Sequence, residues 1–261
     1  MITRIITALI GIPLGLFILY QGGLIFLILA TVLSLVGLNE LSVILENNNL
    51  PVMNKLAMLG TGGLIIGIYV ESLLFVLIIL ALMLFITVIK TMADYPSANL
   101  NLLAGTLLAM FYISWLFGFL IIIRNDGNGF SLLLYLLLMI WGTDTGAYFS
   151  GMYLGHRKLA PKISPKKSIE GAIGAVLLTA LISVFAAPLI GVNFIFSVLI
   201  GILLSVSGQF GDLFESMLKR MAGIKDSGTI LPGHGGVLDR FDSFFFSVPI
   251  YYFILVLADI I

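Results

Sequence analysis

The sequence predicts an all-α polytopic membrane protein, and three features of the chain support this fold class. Of its 261 residues, 60% are hydrophobic and only 10% are charged, and the mean hydropathy is +1.18. A soluble domain would carry about 25% charged residues. Apolar runs recur from end to end with short polar gaps. We therefore expect one membrane-embedded domain, residues 1–261, with an N-terminal helical part (1–130) and a motif-bearing part (131–261).

About nine transmembrane helices are expected, because a helical span needs about 17–25 mainly apolar residues. In order, the apolar runs cover residues 3–20, 22–45, 53–70, 72–89, 99–123, 129–153, 171–190, 192–218 and 241–261. Turn-forming polar segments follow the second run at residues 46–51 and the fifth at residues 124–128. The third and fourth runs are separated by Glu71 alone.

The distribution of basic residues orients the chain, because short cytoplasmic loops collect Lys and Arg. With the N-terminus in the cytoplasm, all of the 13 Lys and Arg residues except Arg124 lie on the cytoplasmic side. The C-terminus is then outside, and the two longest polar loops face the cytoplasm, where nucleoside triphosphates are. We expect a multi-pass protein of the cell inner (cytoplasmic) membrane with its active site on the cytoplasmic side.

Composition also excludes several classes of function. The chain has no cysteine, which excludes disulfides, thiolate metal ligands and a cysteine nucleophile. Its formal net charge is zero and no basic stripe with interleaved aromatic residues is present, so nucleic acid is not an expected partner. A P-loop NTPase is excluded because the pattern Gly-x-x-x-x-Gly-Lys-(Ser/Thr) is absent.

The charges of this apolar chain concentrate between residues 207 and 243. There, two carboxylates, a hydroxyl and an ammonium have the spacing i, i+3, i+4 and i+7, which aligns them on one face of a helix. These residues are Asp212, Glu215, Ser216 and Lys219. The segment therefore predicts a polar helical face at the end of the eighth run.

A glycine-rich stretch follows, with the sequence Pro232-Gly233-His234-Gly235-Gly236. Glycines let the backbone approach a ligand closely and present N–H groups to it, as a phosphate-binding loop must. Asp239 and Asp242 come next, at the start of the last apolar run. Carboxylates from two segments beside basic residues indicate a Mg²⁺ site next to phosphate, because Mg²⁺ usually takes one or two carboxylates together with substrate oxygens.

A second polar group begins with Asp144, which lies well within the sixth run. An ionisable residue at that depth is costly and usually marks function, so we interpret Asp144 as a wall of the active cavity. A packing role, satisfied by neighbouring hydroxyls, stays open. Under either interpretation, the small residues Gly142, Gly146 and Ala147 predict close contact with another helix.

The loop after the sixth run is the densest basic segment. Lys166 and Lys167 come just before the seventh run, where the N-terminus of a helix would also favour an anion. Positive-inside bias alone would explain the lysines. It would not explain the ordered Ile163-Ser164-Pro165 and Glu170-Gly171 beside them.

Several ordered stretches carry a resemblance to a known family. In the C-terminal segment they read Ser216-Met217-Leu218-Lys219-Arg220, Lys225-Asp226-Ser227-Gly228 and Leu231-Pro232-Gly233-His234-Gly235-Gly236-Val237-Leu238-Asp239-Arg240-Phe241-Asp242. A second motif reads Asp144-Thr145-Gly146-Ala147-Tyr148, followed by Pro161-Lys162-Ile163-Ser164-Pro165-Lys166-Lys167-Ser168-Ile169-Glu170-Gly171. They resemble the signatures of the phosphatidate cytidylyltransferases, also called CDP-diacylglycerol synthases. The resemblance covers about residues 142–243, whereas the first 130 or so residues match only as apolar spans.

The resemblance implies a reaction in which CTP and phosphatidate, a membrane lipid, give CDP-diacylglycerol and pyrophosphate. The lipid phosphate would attack the α-phosphorus of CTP. A phosphomonoester is already anionic near neutral pH, so no strong general base is needed. Metal ions and cationic side chains would stabilise charge on the leaving pyrophosphate. The family includes homo-oligomers, so a homodimer is among the expected arrangements.

Roles for individual residues follow from the same resemblance. The catalytic residues would be Asp212, Ser216, Lys219 and Asp239. The substrate-binding residues would be Arg220, Lys225, His234, Gly235, Gly236, Arg240, Lys166 and Lys167. Asp212 and Asp239 would bind Mg²⁺, and a second cation shares this site in the family, supported by Asp144, Glu215 or Asp242. For His234, donation to a phosphate and a purely structural hydrogen bond both stay open.

Three other functions stay open at this point. Ion-coupled transport would use the intramembrane carboxylates Asp144 and Glu40. A related lipid enzyme would be a cytidylyltransferase for an ether-linked archaeal lipid or a CTP-dependent polyprenol kinase. A protein with a purely structural role in the membrane would keep that role after substitution of Asp212 or Asp239. In an enzyme, Asp212→Asn and Asp239→Asn would each remove most turnover and leave the protein folded.

Overall fold

The computed structural model of the chain consists mainly of α-helices. It describes residues 2–230, 233 and 235–261, with side chains from residue 9 onward. The helices are α1 (Ile2–Gln21), α2 (Gly23–Asn47), α3 (Asn54–Tyr69), α4 (Leu73–Ala93), α5 (Leu100–Asn125), α6 (Gly129–Leu154), α7 (Ile169–Ala186), α8 (Phe194–Met221), α9 (Leu238–Phe241) and α10 (Phe244–Leu257). The strands β1 (Lys158–Ala160) and β2 (Ser164–Ser168) form an antiparallel hairpin.

Six of the described helices are long and apolar enough to cross a membrane: α2, α4, α5, α6, α8, and α7 with the short turn that follows it. Two further apolar helices, Leu9–Gln21 and Phe244–Leu257, are shorter. Many large apolar side chains of α4 point outward, and Leu73, Leu74 and Phe85 are 71%, 70% and 66% exposed. A surface of this kind suits lipid and not water. The all-α polytopic membrane fold is confirmed, and the count of nine spans stays a prediction.

The largest departures from the predicted element pattern lie in the two polar loops. The loop after α6 contains the β1–β2 hairpin, which is too short for alternation of apolar and polar residues to reveal it. The carboxylate of Glu170 closes the loop by accepting hydrogen bonds from the backbone N–H groups of His156 and Arg157. The last predicted run is interrupted near its start, because the four-residue α9 precedes α10.

The chain groups into two compact units. The first comprises residues 1–125 and 218–240, and the second comprises residues 126–217 and 241–261. The break after residue 125 lies near the boundary predicted at residue 130. Residues 218–240, however, group with the N-terminal helices. The prediction of a single catalytic domain remains a prediction.

In the first unit, α5 packs against α2 and α3. Its side chains Ile113, Phe117 and Ile121 are 0–1% exposed. One face of α2 is buried as well, including Leu41 and Ile44. Burial of this α2 face is what carries Glu40, on the same helix, into the interior of the unit.

In the second unit, α6 packs closely against α7. A Cβ atom placed on Gly146 would lie 2.7 Å from the carbonyl oxygen of Gly174 and 2.8 Å from the Cα of Ala175. One turn earlier, the hydroxyls of Thr143 and Thr179 are 2.9 Å apart. The predicted close helix contact at the small residues of α6 is therefore confirmed.

Candidate active site

In the first unit, a buried ion pair joins the end of α8 to α9. The Nζ of Lys219 lies 2.6 Å from Oδ1 of Asp239, and each side chain is 9% exposed. Lys219 is in the last turn of α8, and Asp239 is in the first turn of α9. The prediction that these two residues belong to one polar site is thus realised in their geometry.

Asp239 also fixes the glycine loop, the name we give to residues 222–237 between α8 and α9. Its Oδ2 accepts hydrogen bonds from the backbone N–H groups of Ser227 and Gly236, both at 2.9 Å, and from the Ser227 hydroxyl at 3.1 Å. Burial alone would raise the pKa of Asp239, but the Lys219 ammonium and these N–H donors hold that pKa below its usual value. Asp239 is therefore an anionic anchor for the loop.

The glycines of this loop allow the close approach. Gly235 has φ +84°, a conformation that residues with a side chain rarely adopt, and a Cβ there would lie 2.5 Å from Oδ2 of Asp239. Gly236 is buried, and a Cβ on it would lie 2.5 Å from Oε2 of Glu40. The loop thus depends on glycine in order to wrap two carboxylates.

The other predicted binding residues of the first unit lie toward the surface. Arg220, Lys225 and Arg240 are exposed. Arg220 donates a hydrogen bond to the carbonyl oxygen of Ile224 at 3.0 Å, which supports the turn after α8. The prediction for His234 falls on a residue outside those that the structure describes.

In the second unit, a cavity of about 350 Å³ contains most of the remaining predicted residues. Its volume lies in the range of small-ligand sites, about 300–1,000 Å³. The lining residues are Thr143, Asp144, Ala147, Tyr148, Gly151, Met152, Leu159, Lys166, Lys167, Ser168, Gly171, Ala172, Gln209, Asp212 and Ser243. The structure therefore brings Asp144, Asp212 and the two hairpin lysines to one cavity.

Lys167 and Asp212 form an ion pair on the wall of this cavity. The Nζ of Lys167 lies 2.5 Å from Oδ2 of Asp212, with side-chain exposures of 27% and 28%. Ser216, one turn further along α8, donates to Oδ1 of Asp212 at 3.3 Å. Strand β2 holds Lys167 here, and the Ser168 side chain that follows caps α7 by accepting from Gly171 N–H.

Three carboxylates of the second unit lie close enough to Asp242 to act on it electrostatically: those of Asp144, Asp212 and Glu215. Glu215 is only 2% exposed. A cation bound beside these carboxylates would be stabilised by their negative charge.

These carboxylates fit a magnesium ion by donor type and charge. Mg²⁺ prefers oxygen ligands, and substrate phosphates commonly complete its coordination beside one or two protein carboxylates. Among residues 2–230, 233 and 235–261, no three Asp, Glu or His side chains form a ready-made cage. A cation at Asp212 and Asp144 would therefore need substrate oxygens. To bind a cation, Asp239 would have to give up one of its hydrogen bonds to Lys219, Ser227 or Gly236. Its role as a metal ligand stays a prediction.

Two polar residues of the first unit were given no role in cytidylyl transfer from the sequence. Glu40 lies in an N-terminal apolar run and contacts the glycine loop, and Ser227 contacts both Glu40 and Asp239. The signal for Glu40 was a carboxylate inside an apolar run, which normally requires a polar partner. Nothing in the sequence could indicate that this partner lies almost two hundred residues away.

Comparisons with known proteins cover almost the whole chain. The sequence profile described as the cytidylyltransferase family matches residues 2–258. A phosphatidate cytidylyltransferase of Staphylococcus aureus (strain COL) is 37% identical over 262 residues, which cover 97% of this chain and 98% of that protein. A protein of the same name from Staphylococcus epidermidis (strain ATCC 12228 / FDA PCI 1200) has the same identity and coverage. One from Bacillus subtilis (strain 168) is 48% identical over 153 residues, 58% of this chain and 57% of its own length.

Proposed function

The chain belongs to the cytidylyltransferase family, and from that premise we propose that it transfers the cytidylyl group of CTP to phosphatidate, giving CDP-diacylglycerol and pyrophosphate. The observation that carries this proposal is the match to phosphatidate cytidylyltransferases over 97% of the chain and 98% of the relative. The chain is thus a nucleotidyltransferase of phospholipid biosynthesis. Its substrates are one water-soluble anion and one anionic lipid.

The proposed chemistry is an exchange of phosphate partners without a protein nucleophile. An oxygen of the phosphatidate phosphate bonds to the α-phosphorus of CTP, and the bond from that phosphorus to the β-phosphate oxygen breaks. The attacking phosphate is already an anion near neutral pH, so the protein need not remove a proton. What remains for the protein is to align two anions and to stabilise charge on the pyrophosphate.

In the second unit, Lys167 is proposed to bind substrate phosphate in the cavity. The Lys167 side chain is 27% exposed although its Nζ atom is itself buried, so a phosphate that enters the cavity would compete with Asp212 for the ammonium. Lys166 is exposed on the same strand and adds a second positive charge. We propose Asp212, with Asp144, as the site of Mg²⁺, which supplies positive charge to phosphate oxygens when bound.

In the first unit, the glycine loop is proposed to present phosphate-binding groups. Lys219, held by Asp239, carries the positive charge at its base. Arg220, Lys225 and Arg240 are exposed and would neutralise phosphate charge. His234 keeps both of its proposed roles, as a donor to phosphate or as a structural hydrogen-bond partner.

The membrane topology is also part of the proposal. Nine spans with a cytoplasmic N-terminus and an outside C-terminus place every Lys and Arg except Arg124 on the cytoplasmic side. Because the chain has no cysteine, single-cysteine variants can report the sides directly. Lys162→Cys should react with an impermeant thiol reagent only from the cytoplasmic face, and Gly127→Cys only from the outer face. The reverse pattern would contradict this topology.

A homodimer completes the proposed arrangement, on the family resemblance alone. Multi-angle light scattering of the detergent-solubilised protein, corrected for bound detergent, gives the protein mass. A mass of one chain would contradict the dimer and leave the proposed reaction unaffected.

The reaction is tested with purified protein in mixed detergent–lipid micelles containing phosphatidate, Mg²⁺ and CTP labelled in the cytosine ring or at the γ-phosphate. We expect the cytosine label to enter the lipid and the γ-label to leave as pyrophosphate. Both events should stop when EDTA is added. γ-Label in the lipid would instead identify a kinase, and label in neither product would overturn the proposed function.

A further inference from the structure

Glu40 is a buried carboxylate of α2 that binds the glycine loop of the same unit, and its side chain is only 4% exposed. Oε1 accepts a hydrogen bond from the backbone N–H of Val237 at 2.9 Å. Oε2 accepts from the N–H of Leu238 at 2.9 Å and from the Ser227 hydroxyl at 3.0 Å. These donors follow Glu40 by 187 to 198 positions. One carboxylate therefore joins an N-terminal helix to both sides of the loop.

The loop is shaped around this carboxylate. A Cβ atom placed on Gly228 would lie 2.6 Å from Oε1 of Glu40, and one placed on Gly236 would lie 2.5 Å from Oε2. Contacts this short are not found for real Cβ atoms. The two glycines thus let backbone from two parts of the loop close on Glu40. If Glu40 only filled space in the core, the loop would not need glycine at both position 228 and position 236.

Ser227 connects Glu40 to the ion pair between Lys219 and Asp239. Its hydroxyl lies 3.0 Å from Oε2 of Glu40 and 3.1 Å from Oδ2 of Asp239, and its single proton can serve only one of them at a time. The backbone N–H of Ser227 donates to Asp239, and so does that of Gly236. Glu40 and Asp239 therefore hold the same two parts of the loop. A displacement of either carboxylate would therefore disturb the loop contacts of the other.

We propose that Glu40 is a positioning residue for the cytidylyl transfer, which acts through Ser227 and Asp239 to hold the glycine loop and Lys219 in the reactive arrangement. The inference rests on the proposed function and adds a role for the N-terminal helices in it. The carboxylate form is required, because all three groups that meet Glu40 are donors and a carboxylate is acceptor-only. A glutamine of the same shape would turn an N–H₂ group toward at least one of these donors.

The test compares Glu40→Gln with Glu46→Gln, an exposed glutamate of the same helix, in the cytosine-label assay and by amide hydrogen exchange. For Glu40→Gln we expect kcat per folded protein to fall about 10- to 100-fold, because small displacements of aligned groups cost that much. The KM for CTP should change by less than about threefold if the loss is confined to the transition state. Amides of residues 227–239 should exchange faster, while those of α6 should not. Glu46→Gln should match the wild type in each measurement.

Ser227→Ala provides a second variant in case Glu40→Gln yields little folded protein. It keeps both carboxylates and removes only the shared hydroxyl, so a smaller loss of kcat and faster exchange in residues 227–239 are expected. Wild-type kcat and exchange in Ser227→Ala and, where folded, in Glu40→Gln would overturn the positioning role. So would a loss of activity in Glu40→Gln that is fully explained by its folded fraction. Absence of cytosine transfer by the wild type would overturn the proposed function instead, and the exchange measurement would still report whether Glu40 holds the loop.

Discussion

Lys219 and Asp239 form an ion pair with Nζ and Oδ1 only 2.6 Å apart, and each side chain is 9% exposed. Removing one partner of a buried pair costs about 3–5 kcal/mol, whereas replacing both partners costs far less. The second oxygen of Asp239 meanwhile holds the glycine loop through Ser227 and Gly236. The pair therefore couples the charge at the end of α8 to the shape of the loop.

We predict that Lys219→Met and Asp239→Asn each lower the free energy of unfolding by about 3 kcal/mol, because each leaves a buried charge without its partner. The double variant should recover part of this stability. Turnover should stay low in both single variants and in the double variant, because none of them keeps both the Lys219 ammonium and the Asp239 carboxylate that holds it. Thermal unfolding in detergent and the cytosine-label assay measure the two effects. Stability losses that simply add in the double variant would contradict the coupling.

Lys167 should behave differently, because its pair with Asp212 is partly exposed. Lys167→Met is expected to lower the free energy of unfolding by less than Lys219→Met does, because the Lys167 and Asp212 side chains are 27% and 28% exposed whereas those of Lys219 and Asp239 are each 9% exposed. Turnover should fall about 100-fold if the ammonium stabilises charge in the transition state. Kinetics with varied CTP and phosphatidate, together with thermal unfolding, separate these effects.

Lys162→Met is the matched control for Lys167→Met. Lys162 belongs to the same basic loop, is exposed and does not line the cavity. Its replacement removes the same charge from the loop and should leave turnover near normal. Equal losses in the two variants would mean that the loop acts through its net charge and not through Lys167 in the cavity.

Much of the fold could be predicted from the sequence because long apolar runs determine helices almost directly. The predicted sixth run, residues 129–153, differs from α6 (Gly129–Leu154) by one residue. The hairpin and α9 could not be predicted in this way. Their three- to five-residue lengths leave too few positions for periodicity, and the contacts that fix them, such as the Glu170 carboxylate on Arg157 N–H, are made after the chain folds back.

The parts of the site formed by residues close together in the sequence could be predicted. The parts formed by contacts between residues far apart in the sequence could not. The Lys219 and Asp239 motifs are close in sequence, so their association could be expected. Glu40 could be recognised only as a carboxylate in an apolar run. Its partners follow by 187 to 198 positions, a separation at which spacing on one helix gives no information.

Gly236→Ala tests the tight wrapping of the loop. Its Cβ would lie 2.5 Å from Oε2 of Glu40, so the loop or the carboxylate must move. Overpacking of this kind costs about 1–3 kcal/mol, and we expect turnover to fall at least about tenfold because the displaced groups are those that hold Lys219. Gly127→Ala is the control, since a Cβ there has no atom within 4 Å. Wild-type turnover in Gly236→Ala would show that the loop has more room than these distances indicate.

Substitution of Asp212 should change the Mg²⁺ dependence of turnover, because Asp212 belongs to the proposed magnesium site. Asp212→Asn removes one negative charge from the carboxylates around Asp242, and it also removes the anionic partner of Lys167. We expect turnover to fall about 100-fold at fixed Mg²⁺ and the Mg²⁺ concentration for half-maximal rate to rise, because a metal ligand and not only a charge has been lost. Titration of Mg²⁺ in the cytosine-label assay measures both quantities.

Asp259→Asn is the control for this titration, because Asp259 belongs to the same unit, lines no part of the 350 Å³ cavity and has φ +53°, which asparagine tolerates. Its Mg²⁺ dependence should match that of the wild type. A lower rate for Asp212→Asn with an unchanged Mg²⁺ requirement would remove Asp212 from the metal site. It would leave this residue the separate role of holding Lys167 at the cavity wall, and Lys167→Met should then show a loss of similar size.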